Sequence, residues 1–261
     1  RDSLYNGKIS AVVHLGPSSG EGEGVPAVFD YKVSTTAAEL DNARGSKYYP
    51  GSLRNLRKLT SLVEGPIAVV ALPCFIRGMR LLCEQDEVLD QKCKYMVALV
   101  CGHQKSWNFT NYLSVKAGVS RWEKIEQVNY RRTDEDGDAH DYRTAFLSES
   151  GLVRQTPLNS SMYAENWAYG LAMPDICSHC DDVAGENADI TIGDAWIPPF
   201  DTDHRGTNIV ILRNEDLRSV LDDSRLACVQ LSPADFVASQ AGSFRYRKDG
   251  VVHRSAIEGR P

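Results

Sequence analysis

Residues 175–182 read DICSHCDD. Cys177 and Cys180 stand two residues apart, a spacing at which two thiolates can share one metal centre. A pair alone cannot complete such a centre, so the other cysteines matter: Cys74, Cys83, Cys93, Cys101 and Cys228. Two of these sit where strand-like stretches end. Cys74 follows the apolar stretch 67–72 through Pro73 and opens a helical stretch. The free N–H groups and dipole of a helix start lower a thiol's pKa. Cys101 closes the stretch 95–100 and precedes Gly102. In a parallel sheet the carboxyl ends of the strands share one rim, and ligands bind there. Cys74 and Cys101 can therefore be neighbours without being close in sequence. With Cys177 and Cys180 they make four thiolates, the usual complement of a 4Fe–4S cluster.

Other chemistries compete for the same residues. A zinc ribbon carries a second C-x-x-C pair, which this chain lacks. His179 lies inside the spacer and reads as an exposed residue. A thioredoxin-like dithiol opens a helix after an early strand, whereas this pair follows a helical stretch late in the chain. A lone cysteine at a strand end is also, quite ordinarily, a small buried hydrophobe. Cys83 and Cys93, in or just after an apolar helix, read as core or surface residues. Cys228 reads as a core residue of a strand.

These residues must be positioned by an alternation of strands and helices. The pattern predicts strands over 8–15, 27–33, 67–72 and 95–100. It predicts helices from Thr36, where Glu39 completes a capping box, over 52–65, and from about Cys74 to Cys83. Alternation of this kind predicts an α/β fold, a mainly parallel sheet flanked by helices, with the cysteines at the strand-end rim. The middle has α+β character: 124–147 reads as two strands around an acidic turn at Asp134 to Asp138. That turn lacks the closing glutamate of a calcium loop and reads as a solvated tip. A helix is expected through 161–173. Strands are expected at 189–196 and 207–213, a helix start at Asn214, a strand ACVQLS, and a helix opening at Ser232, Pro233 and Asp235. The glycine-rich stretch 18–26 reads as a loop, because Glu21 and Glu23 would repel a phosphate.

The totals narrow the function classes. The chain has 261 residues, 42% hydrophobic, and a formal net charge of -6. That suits one large domain, taken as 1–261, and no basic stripe marks a nucleic-acid partner. No apolar run approaches the roughly 20 residues of a membrane span, and no signal peptide is visible. Seven cysteines is an odd count. Metal or redox use in the cytoplasm is expected over a secreted disulfide framework. The first residue is Arg1 and a strand-like stretch follows almost at once, so further residues are expected upstream.

Five stretches then occur in a telling order: GSKYYPG (45–51), VVALPCFIRGMRLL (69–82), ALVCGHQKS (98–106), CSHCDDVAGENADITIGDAW (177–196) and GTNIVILR (206–213). Together they resemble the coenzyme F-420 hydrogenase/dehydrogenase beta-subunit family, over roughly residues 7 to 260. Relatives include the plant 7-hydroxymethyl chlorophyll a reductase. The resemblance implies an iron–sulfur flavoprotein oxidoreductase that carries FAD and a 4Fe–4S cluster. Its substrate would be a small organic molecule or the deazaflavin coenzyme F-420. The cysteines matching the family's motifs are Cys74, Cys101, Cys177 and Cys180. The loop GSKYY implies Ser46, Lys47 and Tyr48 as flavin contacts, and Asp194 stands beside the cofactors; no catalytic residue is assigned. Asp189 reads as turn chemistry and Trp196 as core packing or a cofactor rim. Three features depart from the family: an upstream glycine-rich segment is absent, so is the extra ferredoxin-like module that many members carry, and the basic-aromatic stretch is replaced by YRRTDEDGDAHDYR. These departures keep open a non-catalytic electron-transfer or docking subunit, with a redox partner protein or an oligomer, beside a zinc-stabilised binding domain.

Overall fold

The computed structural model describes residues 7–18, 28–120, 124–134, 137–162, 169–222 and 225–259. The strands are β1 (Ala11–Pro17), β2 (Phe29–Ser34), β3 (Ile67–Ala71), β4 (Cys93–Leu99), β5 (Ile125–Thr133), β6 (Tyr142–Ser148), β7 (Val153–Gln155), β8 (Ile190–Asp194) and β9 (Asn208–Leu212). Six of them form one sheet in the order β2-β1-β3-β4-β8-β9, and β5-β6-β7 form a second, antiparallel sheet. In the large sheet β1, β3, β4 and β8 run parallel. The edge strands β2 and β9 run antiparallel to their neighbours. The connection from β8 to β9, residues 195–207, runs in turns and coil with no helix, whereas parallel neighbours are usually joined by a helical crossover.

Apolar side chains on both faces of the central strands require cover on both sides. On one face Val13, Ile67, Val69 and Met96 pack under Leu56, Ile76, Met79 and Leu89. These come from α2 (Leu56–Ser61), α3 (Pro73–Cys83) and α4 (Glu87–Lys92). On the other face Val12, Ala68, Tyr95 and Ile190 meet Leu40 and Leu217. Leu40 lies on α1 (Ala37–Asn42), and Leu217 closes a 3-10 turn leading into α6 (Arg218–Leu221). Neighbouring residues in β1 and β3 thus point to opposite cores, the period of two that strands impose.

The second sheet lies in the long crossover from β4 to β8. Its Val128, Tyr130 and Phe146 pack on Phe109 and Leu113 of α5 (Trp107–Lys116), a helix with no counterpart in the sequence expectation. The chain ends in α7 (Pro233–Ser239), α8 (Ala241–Phe244), a π-helical turn (Arg245–Asp249) and α9 (Gly250–Glu258).

Local signals behave as their chemistry demands. Thr36 and Glu39 form the expected capping box of α1, and Ser232 and Asp235 form another on α7. Asn214 accepts from the Asp216 N–H. Two expectations fail. ACVQLS is not a strand: residues 227–232 run irregular, and 227–230 are exposed, so Cys228 is a surface residue rather than core. Residues 163–168 of the expected helix over 161–173 lie outside the described residues; at its two ends Ser161 closes a 3-10 turn and 170–173 form turns and coil. Residues 19–26 of the expected loop and part of the acidic turn also lie outside them. No described helix is long and apolar enough to cross a membrane.

Candidate metal centre and cofactor cavity

Parallel strands deliver their carboxyl ends to one rim, and the three cysteine-bearing segments hang from it or pack against it. Cys74 lies in the first turn of α3, directly after β3, with Pro73 opening the helix. Cys101 follows β4, and its N–H donates to the Val183 carbonyl at 3.1 Å. Cys177 lies in the 3-10 turn Asp175–His179, and Cys180 closes that turn.

The run after Cys180 is folded back onto β4 and β8. The Asp182 carboxylate accepts from the Gly185 N–H at 2.7 Å, which makes a tight turn. Gly185 has φ +63°, and a Cβ there would lie 2.4 Å from the Ala98 side chain. Gly193 on β8 is similarly confined, since a Cβ would come within 2.5 Å of Val100. These two contacts explain the glycines of DVAGENADITIGD in physical terms: backbone must pass close to the strand that carries Cys101.

The thiols share one electrostatic neighbourhood. The protein mass around it, then the charges of Cys180 and Cys177, push the Cys74 thiol up. The helix start is expected to lower this pKa, but burial and neighbouring thiolates outweigh its N–H groups, although Cys74 is an exposed residue by area. Burial pushes Cys101 up to about 12, with the Arg247 charge opposing and those of Cys74, Cys177 and Cys180 adding. Cys83 and Cys93 stand apart, buried and hydrogen-bonded to each other in the α3 core. His179 is not exposed as expected; its Nε2 lies 3.2 Å from Glu258 of α9. Among the described residues, no three His, Cys, Asp or Glu side chains gather in a way that would hold a single metal ion.

One residue invisible to the sequence reading binds this region together. Arg247 is 1% exposed. Its Nε donates to the Gly102 carbonyl at 2.5 Å, and one terminal nitrogen donates to the carbonyls of Cys177 and Cys180. Arg254 on α9 donates to the Ser178 carbonyl at 2.9 Å and stacks on Tyr246.

A cavity of about 1760 Å³ opens beside the rim. Pockets for small ligands run to roughly 1,000 Å³, so this one has room for a dinucleotide-sized group. Ser46, Lys47, Tyr48, Asp194 and Trp196 line it, and so does Cys101. The structure thus brings the sequence's flavin candidates and one of its cysteines to the same wall. Lys47 is half-buried rather than solvated, and its Nζ donates to the Gly45 carbonyl at 2.9 Å and to that of Ala43. Burial lowers its pKa to about 8. The Tyr48 ring packs on Tyr130 and Phe109, and its hydroxyl bonds Ser46 and Tyr142. Asp194 accepts from Arg131 at 2.7 Å. Trp196 stacks on His140, with centroids 4.4 Å apart. Asp189 is a structural tie, accepting from Arg80, the Met96 N–H and Asn214. Lys105, in the stretch ALVCGHQKS but without a role assigned from sequence, is 1% exposed, lines the cavity and donates to the Leu171 carbonyl at 2.8 Å.

Residues 65–235 match the sequence pattern that describes the C-terminal part of the beta subunit of coenzyme F420 hydrogenase/dehydrogenase. The chain belongs to this beta-subunit family. The matched residues carry all four candidate cysteines, the wall from Cys101 to Trp196 and the second sheet. The loop GSKYY and Arg247 lie outside them. No curated protein matches the chain. Among solved structures, it is similar in fold to a chain of the F420-reducing [NiFe] hydrogenase complex from Methanosarcina barkeri. The TM-score is 0.65 at 16% sequence identity, over 98% of this chain and 83% of that one.

Proposed function

We propose that this beta-subunit family member is an iron–sulfur flavoprotein oxidoreductase. Cys74, Cys101, Cys177 and Cys180 would hold a 4Fe–4S cluster, and the cavity would take FAD together with a deazaflavin or another small organic substrate. The observation that carries this reading is the position of Cys101. It lines the cavity and is also one of the four thiols that feel one another's charge.

The donor set supports a cluster over zinc. Four thiolates on one zinc ion, at about 2.3 Å each, would lie about 3.8 Å from one another. Among the described residues no three His, Cys, Asp or Glu side chains gather to hold a single ion, and the chain lacks the second C-x-x-C pair of a zinc ribbon. A four-iron cube puts its thiolates at separate corners and accepts a wider ring. His179, inside the spacer, is turned to Glu258.

A flavin would supply two-electron chemistry and a cluster single-electron transfer. The chain's own residues provide the setting. Lys105 and Lys47 place positive charge at the cavity wall for phosphates. Tyr48 and Trp196 give it aromatic faces.

The test is a titration of anaerobic protein with FAD, followed by reduced coenzyme F-420 under stopped flow. Bound flavin and bleaching of the cluster absorbance support the reading; an absence of flavin binding overturns the enzyme. A second reading, a subunit that relays electrons for a partner chain, draws on the similarity to a chain of a multi-subunit complex. It predicts a reducible cluster without turnover of F-420.

A further inference from the structure

Arg247 has no role in the function proposed above, and its position is costly unless something compensates. A buried guanidinium loses its hydration and must recover it in hydrogen bonds and opposite charge. The hydrogen bonds are present: Gly102, Cys177 and Cys180 each accept through a carbonyl oxygen. Among the described residues, no carboxylate forms an ion pair with it. Its remaining contact is with sulfur, the terminal nitrogen Nη2 lying 3.9 Å from Cys101 Sγ. The side chain projects from the π-helical turn Arg245–Asp249, a local geometry frequent at functional sites. Three segments distant in sequence therefore meet at one cation: the end of β4, the Cys177–Cys180 turn and the C-terminal helices.

We propose that Arg247 is a positioning and charge-balancing residue of the thiolate centre, an inference that rests on the cluster reading given above. Its planar fork fixes the Cys101 strand end against the Cys177–Cys180 turn. Its charge, aimed at the Cys101 sulfur, balances the negative thiolates and raises the centre's reduction potential. The direction follows from electrostatics. Adding an electron makes the centre more negative, and a nearby fixed cation favours the more negative state. Hydrogen bonds to cluster sulfurs and net charge are the established levers on such potentials. Arg254 supplies the natural control. It holds the same turn through the Ser178 carbonyl, while its guanidinium stacks on Tyr246 at 4.0 Å.

The experiment uses anaerobic holoprotein and redox titration followed by EPR. Arg247→Gln should shift the midpoint potential to more negative values, and Arg247→Lys should shift it less. Arg254→Gln should lower thermal stability and leave the midpoint where it is. An unchanged midpoint in Arg247→Gln with its cluster retained overturns the proposal. A measurement on the unaltered chain decides the matter independently of whether the variants fold. With arginine labelled by 15N in the guanidinium, pulsed EPR of the reduced centre should show a weak 15N coupling. A reduced centre without that coupling overturns the inference alone. Protein without iron and sulfide instead overturns the cluster reading, and does so before any potential is measured.

Discussion

Arg131 of β5 and Asp194 of β8 meet at 2.7 Å, so an ion pair joins the small sheet to the large one at the cavity wall. Arg131 also lies over the rings of Tyr142 and Trp196, at 5.2 and 5.3 Å. The paired side chains are 15% and 35% exposed, so solvent screens the pair in part. A double-mutant cycle with Arg131→Met and Asp194→Asn should give a coupling of about 1 kcal/mol in urea unfolding, at the top of the range for exposed ion pairs and below that for fully buried charge-assisted bonds. Both single variants should also bind flavin more weakly. Additive losses would mean that the two residues act separately.

The cysteines should divide into two classes. Cys74→Ser, Cys101→Ser, Cys177→Ser and Cys180→Ser should each lose or convert the cluster, read from iron content and visible absorbance. Cys83→Ser and Cys228→Ser should keep it. Cys83 is buried against Cys93, so its change costs stability of about 1 kcal/mol. Cys228 is exposed and its change should be silent. Retention of a full cluster in Cys101→Ser would contradict the assignment of the strand end.

The fold was legible where a strand or helix announces itself locally. Thr36 with Glu39, Ser232 with Asp235, and the apolar runs before Cys74 and Cys101 are signals that need no tertiary partner. The antiparallel edges were not legible, because β2 and β9 differ from the central strands in their connections rather than their composition. Arg247 was hidden for a related reason: nothing in FRYRKD separates an arginine that folds inward to three carbonyls from its neighbours. Lys47 stands out through the GSKYY loop, but sequence cannot show that its ammonium bends back onto the Ala43 and Gly45 carbonyls. Cys228 failed in the opposite direction, since an alternating apolar run predicts a strand only if a partner strand exists to pair with it.

Acid should weaken the fold partly through His14. The ring is buried, with Nε2 2.8 Å from the Ser34 hydroxyl and Nδ1 3.1 Å from the Leu15 carbonyl. Burial lowers its pKa below the ordinary 6.5. The unfolded chain therefore binds this proton first, and stability falls as pH drops below 6.5. Replacing it by His14→Gln should flatten urea-derived stability on the acid side, by at most about 1.4 kcal/mol per pH unit. An unchanged slope would show that His14 titrates alike in both states.

Lys47 makes a prediction of the same sign in alkali. Its pKa falls from 10.5 to about 8 through burial. Between those values the unfolded chain keeps the proton that the folded chain has released, so this residue makes stability rise with pH. In Lys47→Met that rise should vanish from the denaturation profile. Persistence of the rise would assign it to other groups.

The central claim is that four thiolates from three distant segments hold one iron–sulfur cluster beside a cofactor cavity. The most direct measurement is quantitative iron, acid-labile sulfide and zinc analysis of anaerobically purified protein. The account predicts iron and sulfide in equal amounts, about four of each per chain for a 4Fe–4S centre. Stoichiometric zinc with no sulfide would contradict it.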